Sequence, residues 1–285
     1  MTKYARRLFL ILMLLPLSPA WSAAVLLSSE GPGSPDDGAG SEFASRQISL
    51  TLPLAQQKQG SEQLHSYLHL DQTRFELTGT SAAQSDYFWL SLPLRYQQQR
   101  SHNTAFLVNA EAGLMTDLNS LNSESVGLNL ELLARRYVAL GRRSDKQAYW
   151  QFGVVLDRAF GDYSPRPALM YSWQLSPATR VSLGFPRTQV RSRWGRDFTA
   201  YLHIRPAGGV WREEIKGQDA VSSVSYRNWR AGVGGEFHWR SRLWLVAELG
   251  QTRLRTLTAD DASGTRVVSR PGDDVYTQFG LRLRF

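Results

Sequence analysis

Apolar and polar residues alternate along most of the chain after residue 45. Large apolar residues occupy every second position, and small, polar or charged residues lie between them. Because successive side chains of an extended strand point to opposite faces, this period of two predicts β-strands, and no stretch has helical periodicity. Clear examples of the apolar positions are Ile48, Leu50, Leu52 and Leu54; Phe88, Leu90, Leu92 and Leu94; and Val126, Leu128, Leu130 and Leu132.

About twelve strands fit the pattern, although ten or fourteen are also compatible with it. The predicted strands are 46–56, 64–77, 86–97, 103–116, 125–138, 147–159, 165–175, 178–193, 196–212, 221–239, 242–256 and 273–285. They are longer than the roughly five or six residues usual in soluble proteins, and charged residues lie in the middle of their polar faces. A soluble β-sandwich would also alternate, with its charged face in water. Strand length and charge placement favour an all-β fold, a transmembrane antiparallel up-and-down β-barrel with lipid outside and a polar lumen inside.

The chain divides into three parts. In residues 1–24, Lys3, Arg6 and Arg7 precede a short apolar core and small residues, which predicts a cleaved signal peptide. Residues 25–45 are rich in Gly, Pro, Ser and acids, so we expect a flexible segment there. Residues 46–285 form the predicted barrel. If both barrel ends lie in the periplasm, odd strands run outward, and the Arg240–Ser241 turn is periplasmic.

Composition narrows the function classes. The formal net charge of +8 falls to +5 once the three basic residues of the leader are removed, and 29 of the 33 basic residues are Arg. Arginine suits an ion-paired interior or a phosphate-rich surface, whereas export argues against nucleic acid as a partner. The absence of cysteine excludes disulfides, thiolate metal sites and cysteine nucleophiles. Apart from the leader, no apolar run approaches the length of a membrane-spanning helix.

The polar faces of the predicted strands carry charges of both signs. We expect a charge network in the lumen, because carboxylates facing arginines would neutralise a narrow interior. Its predicted members are Glu111, Glu131, Glu236, Glu248, Arg135, Arg230 and Arg282.

The histidines, Ser241 and the glutamates give little indication of metal binding or catalysis. His65 and His69 lie on one strand face about 13 Å apart, too far to share a metal ion. His238 and Ser241 are close in sequence but fall at a predicted periplasmic turn, and the pair Glu111 and Glu131 fits an ion-paired network better than acid–base catalysis. We therefore predict no catalytic, cofactor or metal site, and no enzymatic activity.

Aromatic residues are spaced as membrane belts. Trp229 and Trp239 are ten residues apart with the same parity, as are Trp150 and Phe160. Ten residues of a tilted strand climb about 25 Å, the height of the apolar band of a barrel. The spacing predicts Trp150 and Trp229 at the outer interface, and Trp239 and Phe160 at the periplasmic one.

The last strand, "VYTQFGLRLRF", has one apolar face and ends on Phe285. Together with the leader and the alternating strands, it resembles a Gram-negative outer-membrane β-barrel, whose terminal strand is read by the barrel-assembly machinery. The resemblance implies that the recognised positions are Tyr276, Phe279, Leu281, Leu283 and Phe285.

A shorter stretch, "YSWQLSPATRVSLGFPRTQV", is similar to a family of uncharacterised outer-membrane barrels with a Leu-Gly-Phe-Pro turn. It places Pro186 inside predicted strand 178–193, where a proline indicates an edge, a bulge or a break.

These observations give one expected location and three hypotheses for function. We expect a cell outer-membrane protein that meets membrane lipids, lipopolysaccharide, periplasmic chaperones and the assembly machinery. Its role is structural or passive transport through a charged, partly filled lumen. The alternatives are an enzyme that modifies lipid or lipopolysaccharide, and an adhesion or docking protein that acts through its loops.

Overall fold

A computed structural model describes residues 22–33, 42–78, 85–118, 123–138, 148–214, 221–260 and 265–284. Apart from two three-residue 3₁₀ turns at Ser123–Ser125 and Arg158–Phe160, the regular elements in these ranges are strands. The strands are β1 Ser22–Gly33, β2 Glu42–Gln59, β3 Glu62–Thr78, β4 Ser85–Ser101, β5 Thr104–Thr116, β6 Val126–Val138, β7 Ala148–Leu156, β8 Arg166–Gln174, β9 Thr179–Phe185, β10 Thr188–Trp194, β11 Phe198–Glu214, β12 Val221–Arg240, β13 Leu243–Asp260, β14 Arg266–Ser269 and β15 Asp274–Arg284.

The strands close into one antiparallel barrel. Each strand from β1 to β13 pairs with its neighbour in sequence, and β15 joins β13 to β1. The short β14 pairs only with the end of β13, so the barrel wall has fourteen strands. Among the described residues, no helix is long and apolar enough to cross a membrane.

The predicted number of twelve strands was wrong by two. The first missing strand is β1, which lies in the segment predicted to be signal peptide and flexible chain, yet pairs along its length with both β2 and β15. The second comes from predicted strand 178–193, which is two strands, β9 and β10, joined at Pro186. A proline cannot donate to the strand ladder, and the chain reverses direction there.

The two extra strands also change the direction of the predicted ones. We call the rim with Ser22 and Arg284 the terminal end and the opposite rim the loop end. Adding β1 reverses every predicted strand from 46–56 to 165–175, and the turn at Pro186 restores the predicted directions from 196–212 onward. Two-residue turns such as Ser241–Arg242 lie at the terminal end.

The exterior of the barrel is apolar. Large side chains that alternate along the strands point away from the lumen; examples are Leu202 and Val233, which are 56% and 51% exposed. In a soluble protein such a continuous apolar surface would be costly, whereas lipid accepts it.

The barrel wall is lower on one side. β10 pairs with β11 only as far as Ile204, whereas β11 continues to Glu214. Above the short β9–β10 hairpin, the 3₁₀ turn that follows β7 packs against β11 and β12. This segment therefore fills a notch in the wall at the loop end.

Candidate functional site

Aromatic side chains cross the lumen near the loop end. Phe75 on β3 meets Trp211 on β11 edge-on at a ring distance of 5.3 Å, and Tyr226 on β12 at 5.5 Å. Tyr87 on β4 lies 5.5 Å from Trp211. Opposite walls of the barrel are thus in direct contact. We call the buried group the aromatic plug; it comprises Phe43, Phe75, Tyr87, Trp89, Met115, Val210, Trp211, Val224 and Tyr226.

Arg158 closes the plug from below. Its 3₁₀ turn is capped by Asp157, whose side chain accepts a hydrogen bond from the backbone N–H of Ala159. The guanidinium lies 4.6 Å from the ring of Trp89 and 5.4 Å from that of Trp211, and donates to Asp71 at 3.0 Å. A buried cation between two aromatic faces is stabilised by about 2 kcal/mol, so the turn is held firmly inside the barrel.

Glu30 on β1 lies at the centre of a buried network and is 1% exposed. Nε and Nη2 of Arg230 donate to its carboxylate at 3.0 and 2.8 Å, and the amide of Asn228 donates at 3.0 Å. The hydroxyls of Ser45 and Tyr226 also donate to it. Glu30 therefore ties β1 to β12, across the position where the barrel closes.

Two further carboxylates on this side of the lumen are paired with arginines. Glu236 accepts hydrogen bonds from Arg191, Arg282 and Arg284. These contacts join β10, β12 and β15 near the terminal end.

Glu248 has a more varied set of partners. Arg205 donates to it at 3.1 Å, and the hydroxyls of Tyr201 and Tyr276 donate at 3.0 and 2.8 Å. Nε2 of His203 lies 3.1 Å from the same carboxylate.

The carboxylates on the β4–β7 side have different partners. Glu111 accepts from the indole of Trp89 at 2.8 Å, from the hydroxyl of Ser91 and from the amide of Asn129 at 3.0 Å. Glu131 accepts from the amide of Asn109. Asn109 lies opposite Glu131 and Asn129 lies opposite Glu111 in the β5–β6 register, so each Glu pairs with an Asn of the facing strand.

A cavity of about 510 Å³ lies against these two glutamates. It shares Glu111 and Asn129 with a 200 Å³ cavity beneath Arg158, and shares Tyr67 and Arg95 with a 220 Å³ cavity near the terminal end. We call the three together the polar chamber. It reaches toward the terminal end and stops below the aromatic plug.

The predicted charge network is only partly assembled as expected. Arg282 and Glu236, both members of the predicted set, pair with each other, and Glu248 is paired with Arg205, which is outside that set. Arg230 bonds instead to Glu30, and Arg135 donates to Gln151 and lies 4.4 Å from the ring of Tyr149. Glu111 and Glu131 have amide partners in place of the expected arginines.

Residues of the terminal strand divide between the two faces. Phe279 is 57% exposed on the exterior, and Leu281 and Leu283 share its parity. Tyr276 is fully buried in the lumen, where its hydroxyl bonds to Glu248. Phe285 lies outside the described residues.

The aromatic belts require correction. Trp150 lies at the start of β7, at the terminal end and thus at the same end as Trp239, because β1 reverses the direction of its strand. Phe160 is 6% exposed and stacks on Phe185 at 5.4 Å, so it lies in the notch and not on the exterior. Trp229 has the outward parity of Val233 and lies on the loop-end half of β12.

Sequence reasoning missed the residues that close the barrel and the plug. Glu30 lies in a Gly/Pro/Ser-rich stretch outside every predicted strand. Arg158 falls at the end of predicted strand 147–159, whereas the structure places it in a 3₁₀ turn after β7. The one available indication was the charge of Arg158 at a position with the apolar parity of Trp150, Val154 and Leu156. Within the described ranges, no cluster of three or more His, Asp and Glu side chains is arranged to bind a metal ion.

Comparisons with known proteins identify a family and similar folds. None of the curated proteins matches the chain. Similar solved structures include the translocator domain of the autotransporter NalP from Neisseria meningitidis, with a TM-score of 0.39, 12% identity and coverage of 99% of this chain and 94% of that one. For LpxR from Salmonella typhimurium the TM-score is 0.37 at 8% identity, with coverage of 93% of this chain and 100% of that one. For the toluene transporter TodX from Pseudomonas putida the TM-score is 0.38 at 9% identity, with coverage of 96% of this chain and 93% of that one. A family model described as a domain of unknown function (DUF6268) matches residues 51–282, and the chain belongs to that family.

Proposed function

We propose that the protein is an outer-membrane β-barrel whose lumen is closed to passive diffusion, and that its role is structural, performed through its wall and its loop end. The aromatic plug carries this proposal. Rings from β3 and β4 touch rings from β11 and β12, and Arg158 lies directly beneath them. An open channel of fourteen strands would instead keep its opposite walls apart with water between them.

The outer membrane is the proposed location because of the barrel itself. Every strand of the closed wall pairs with a neighbour on each side, and the exterior is apolar, both of which a bilayer requires of a spanning β-structure. An even number of strands places both termini at one end, which we assign to the periplasm because most described turns there are short. Export by a signal peptide, handling by chaperones and insertion by the assembly machinery remain predictions.

The other two hypotheses have less support. For an enzyme, the strongest candidate group among the described lumen residues is His69, whose Nδ1 lies 3.0 Å from the Thr51 hydroxyl and whose Nε2 lies 3.1 Å from Asp71. Because Asp71 also accepts a hydrogen bond from Arg158, we assign this group to the structural network of the lumen. An adhesive role would depend on the connections at the loop end, several of which lie outside the described residues.

Planar-bilayer recording tests the proposal. We expect the wild-type barrel to insert without discrete conductance steps, because the plug and Arg158 block the lumen. Replacement of Phe75 and Trp211 together by alanine should produce steps, since it removes the two rings that meet at 5.3 Å.

The matched control replaces Leu90 and Leu202 by alanine, two large residues exposed on the lipid side. This control should show no conductance steps. Stable ohmic conductance from the wild-type protein would overturn the closed-lumen proposal.

A further inference from the structure

The notch in the barrel wall contains a groove of about 530 Å³. Its apolar part is formed by Phe160, Phe185 and Trp229; the rings of Phe160 and Phe185 stack at 5.4 Å, and Trp229 lies 6.2 Å from Phe185. Leu254, at a bulge of β13, is 74% exposed beside it. Because Leu254 and Trp229 have outward parity, the groove opens toward the membrane side of the wall.

The groove has an excess of positive charge. Arg166, Arg227, Arg255 and Arg270 line it, against a single carboxylate, Asp273. That carboxylate is already paired with Arg253 at 2.6 Å. Outside the lining, Asp162 pairs with Arg166, and Arg255 donates to Tyr226 and to backbone carbonyls. The four arginines therefore still outnumber the carboxylates at the groove.

Two of these arginines are available to a ligand. Arg227 and Arg270 are exposed, and neither forms a hydrogen bond or ion pair with another described residue. Arg166 is bound to Asp162 through Nη2, but its buried Nε has no partner among the described residues. Guanidinium groups bind phosphate oxygens in a bidentate manner, so this set favours a phosphate over a single-point anion.

A second groove continues down the outer wall from the first. Its volume is about 640 Å³, and Ile204, Ala231 and Gln251 line it side by side in the β11–β13 register. This row lies two residues from Pro206 and Trp229 of the first groove, about 7 Å along the strands toward the terminal end. Small Ala231 lies between larger outward side chains, which makes the wall concave there. The lining is almost entirely apolar and fits an acyl chain.

The depth of the groove fits a lipid head group. Trp229 lies eleven residues from Arg240 at the terminal end of β12. At a usual strand tilt this is about 28 Å, slightly more than the apolar band of a barrel. The arginines are thus at the level of the outer interface, and the apolar groove is at the level of the acyl chains.

We propose that this notch is a binding site for an anionic membrane lipid, with its phosphate on Arg227, Arg270 and Nε of Arg166 and an acyl chain in the groove at Ala231. The three proposed phosphate contacts lie outside the aromatic plug and the polar chamber, so lipid binding does not depend on whether the lumen is closed. It gives the protein a specific lipid partner at the outer interface.

Native mass spectrometry of the full barrel, released from a non-ionic detergent, tests the site. The probe is phosphatidylglycerol, with phosphatidylcholine as the zwitterionic comparison. We expect one phosphatidylglycerol to be retained, with at least about tenfold weaker binding when Arg227 and Arg270 are both replaced by glutamine. The control replaces Arg193 and Arg240 by glutamine, which removes the same charge near the terminal end and should leave binding unchanged. Equal affinity of the wild type and the R227Q/R270Q variant would overturn the proposal.

Two further measurements separate a lipid from a free anion. Ala231→Trp fills the acyl groove without changing charge, and should weaken phosphatidylglycerol binding while heat-modifiable migration shows that the barrel is folded. Millimolar inorganic phosphate should not displace the lipid. If Ala231→Trp has no effect and inorganic phosphate displaces the lipid, the site recognises the anion alone and the lipid assignment is wrong.

Discussion

The two sides of the lumen neutralise their carboxylates in different ways. On the side of β1 and β10–β15, Glu30, Glu236 and Glu248 each bond to at least one arginine. On the side of β4–β7, Glu111 and Glu131 bond to asparagine amides and leave the polar chamber beside them. Arginine is long, so its pairs fill this part of the lumen and join strands that are two or three positions apart in the wall. The amide pairs join only neighbouring strands, and the space in front of them stays open.

This difference implies that the two sides contribute unequally to stability. Removal of one member of a buried ion pair leaves the other charge without compensation, which is costly. Loss of one hydrogen bond to an amide beside a water-accessible cavity costs much less.

The largest effect is expected for Glu30→Gln. It leaves Arg230, whose side chain is 8% exposed, without its carboxylate and removes the contact that links β1 to β12 across the closure. We expect a loss of about 3–5 kcal/mol in the free energy of unfolding, measured by urea titration of the barrel in lipid vesicles. The control is Glu76→Gln, which removes a contact to the largely exposed Arg46 and should cost less than about 1 kcal/mol. Equal effects of the two substitutions would contradict the structural role of Glu30.

A smaller effect is expected for Glu111→Gln. The amide oxygen of the new side chain still accepts from Trp89 and Ser91, whereas its NH₂ group faces the amide donor of Asn129. One lost hydrogen bond should cost about 1 kcal/mol in the same titration. A loss of unfolding free energy as large as that of Glu30→Gln would mean that the carboxylates of both sides contribute equally to stability.

The alternating pattern was sufficient to predict the strands and their lumen-facing side. Most predicted strands correspond to observed ones, because a period of two depends only on local burial against lipid. β1 was missed because its last third, Glu30–Gly33, contains a charge, two glycines and a proline, the composition of a loop. It is stabilised as a strand by pairing with β2 and β15 and by the contact between Glu30 and Arg230, which are 200 residues apart in sequence.

The direction predicted for a strand depends on how many strands precede it, so the omission of β1 reversed the predicted direction of many later strands. Trp150 and Phe160 were placed at the wrong ends because a missing strand reverses all those after it, whereas Trp239 follows the turn at Pro186 and kept its predicted end. The plug could not be predicted for a related reason. Inward-facing Phe75 and Trp211 meet only because the barrel is narrow enough for opposite walls to touch, which no local pattern encodes.

We expect the lumen to be open toward the terminal end, where the polar chamber lies, and closed toward the loop end by the aromatic plug. Because the chain has no cysteine, a single Asn109→Cys substitution places one thiol in the polar chamber. In cells, we expect a membrane-impermeant maleimide to label this thiol only after the outer membrane is permeabilised. Val267→Cys, on exposed β14 at the loop end, should be labelled in intact cells. Labelling of Asn109→Cys in intact cells at the rate of Val267→Cys would contradict the closed lumen.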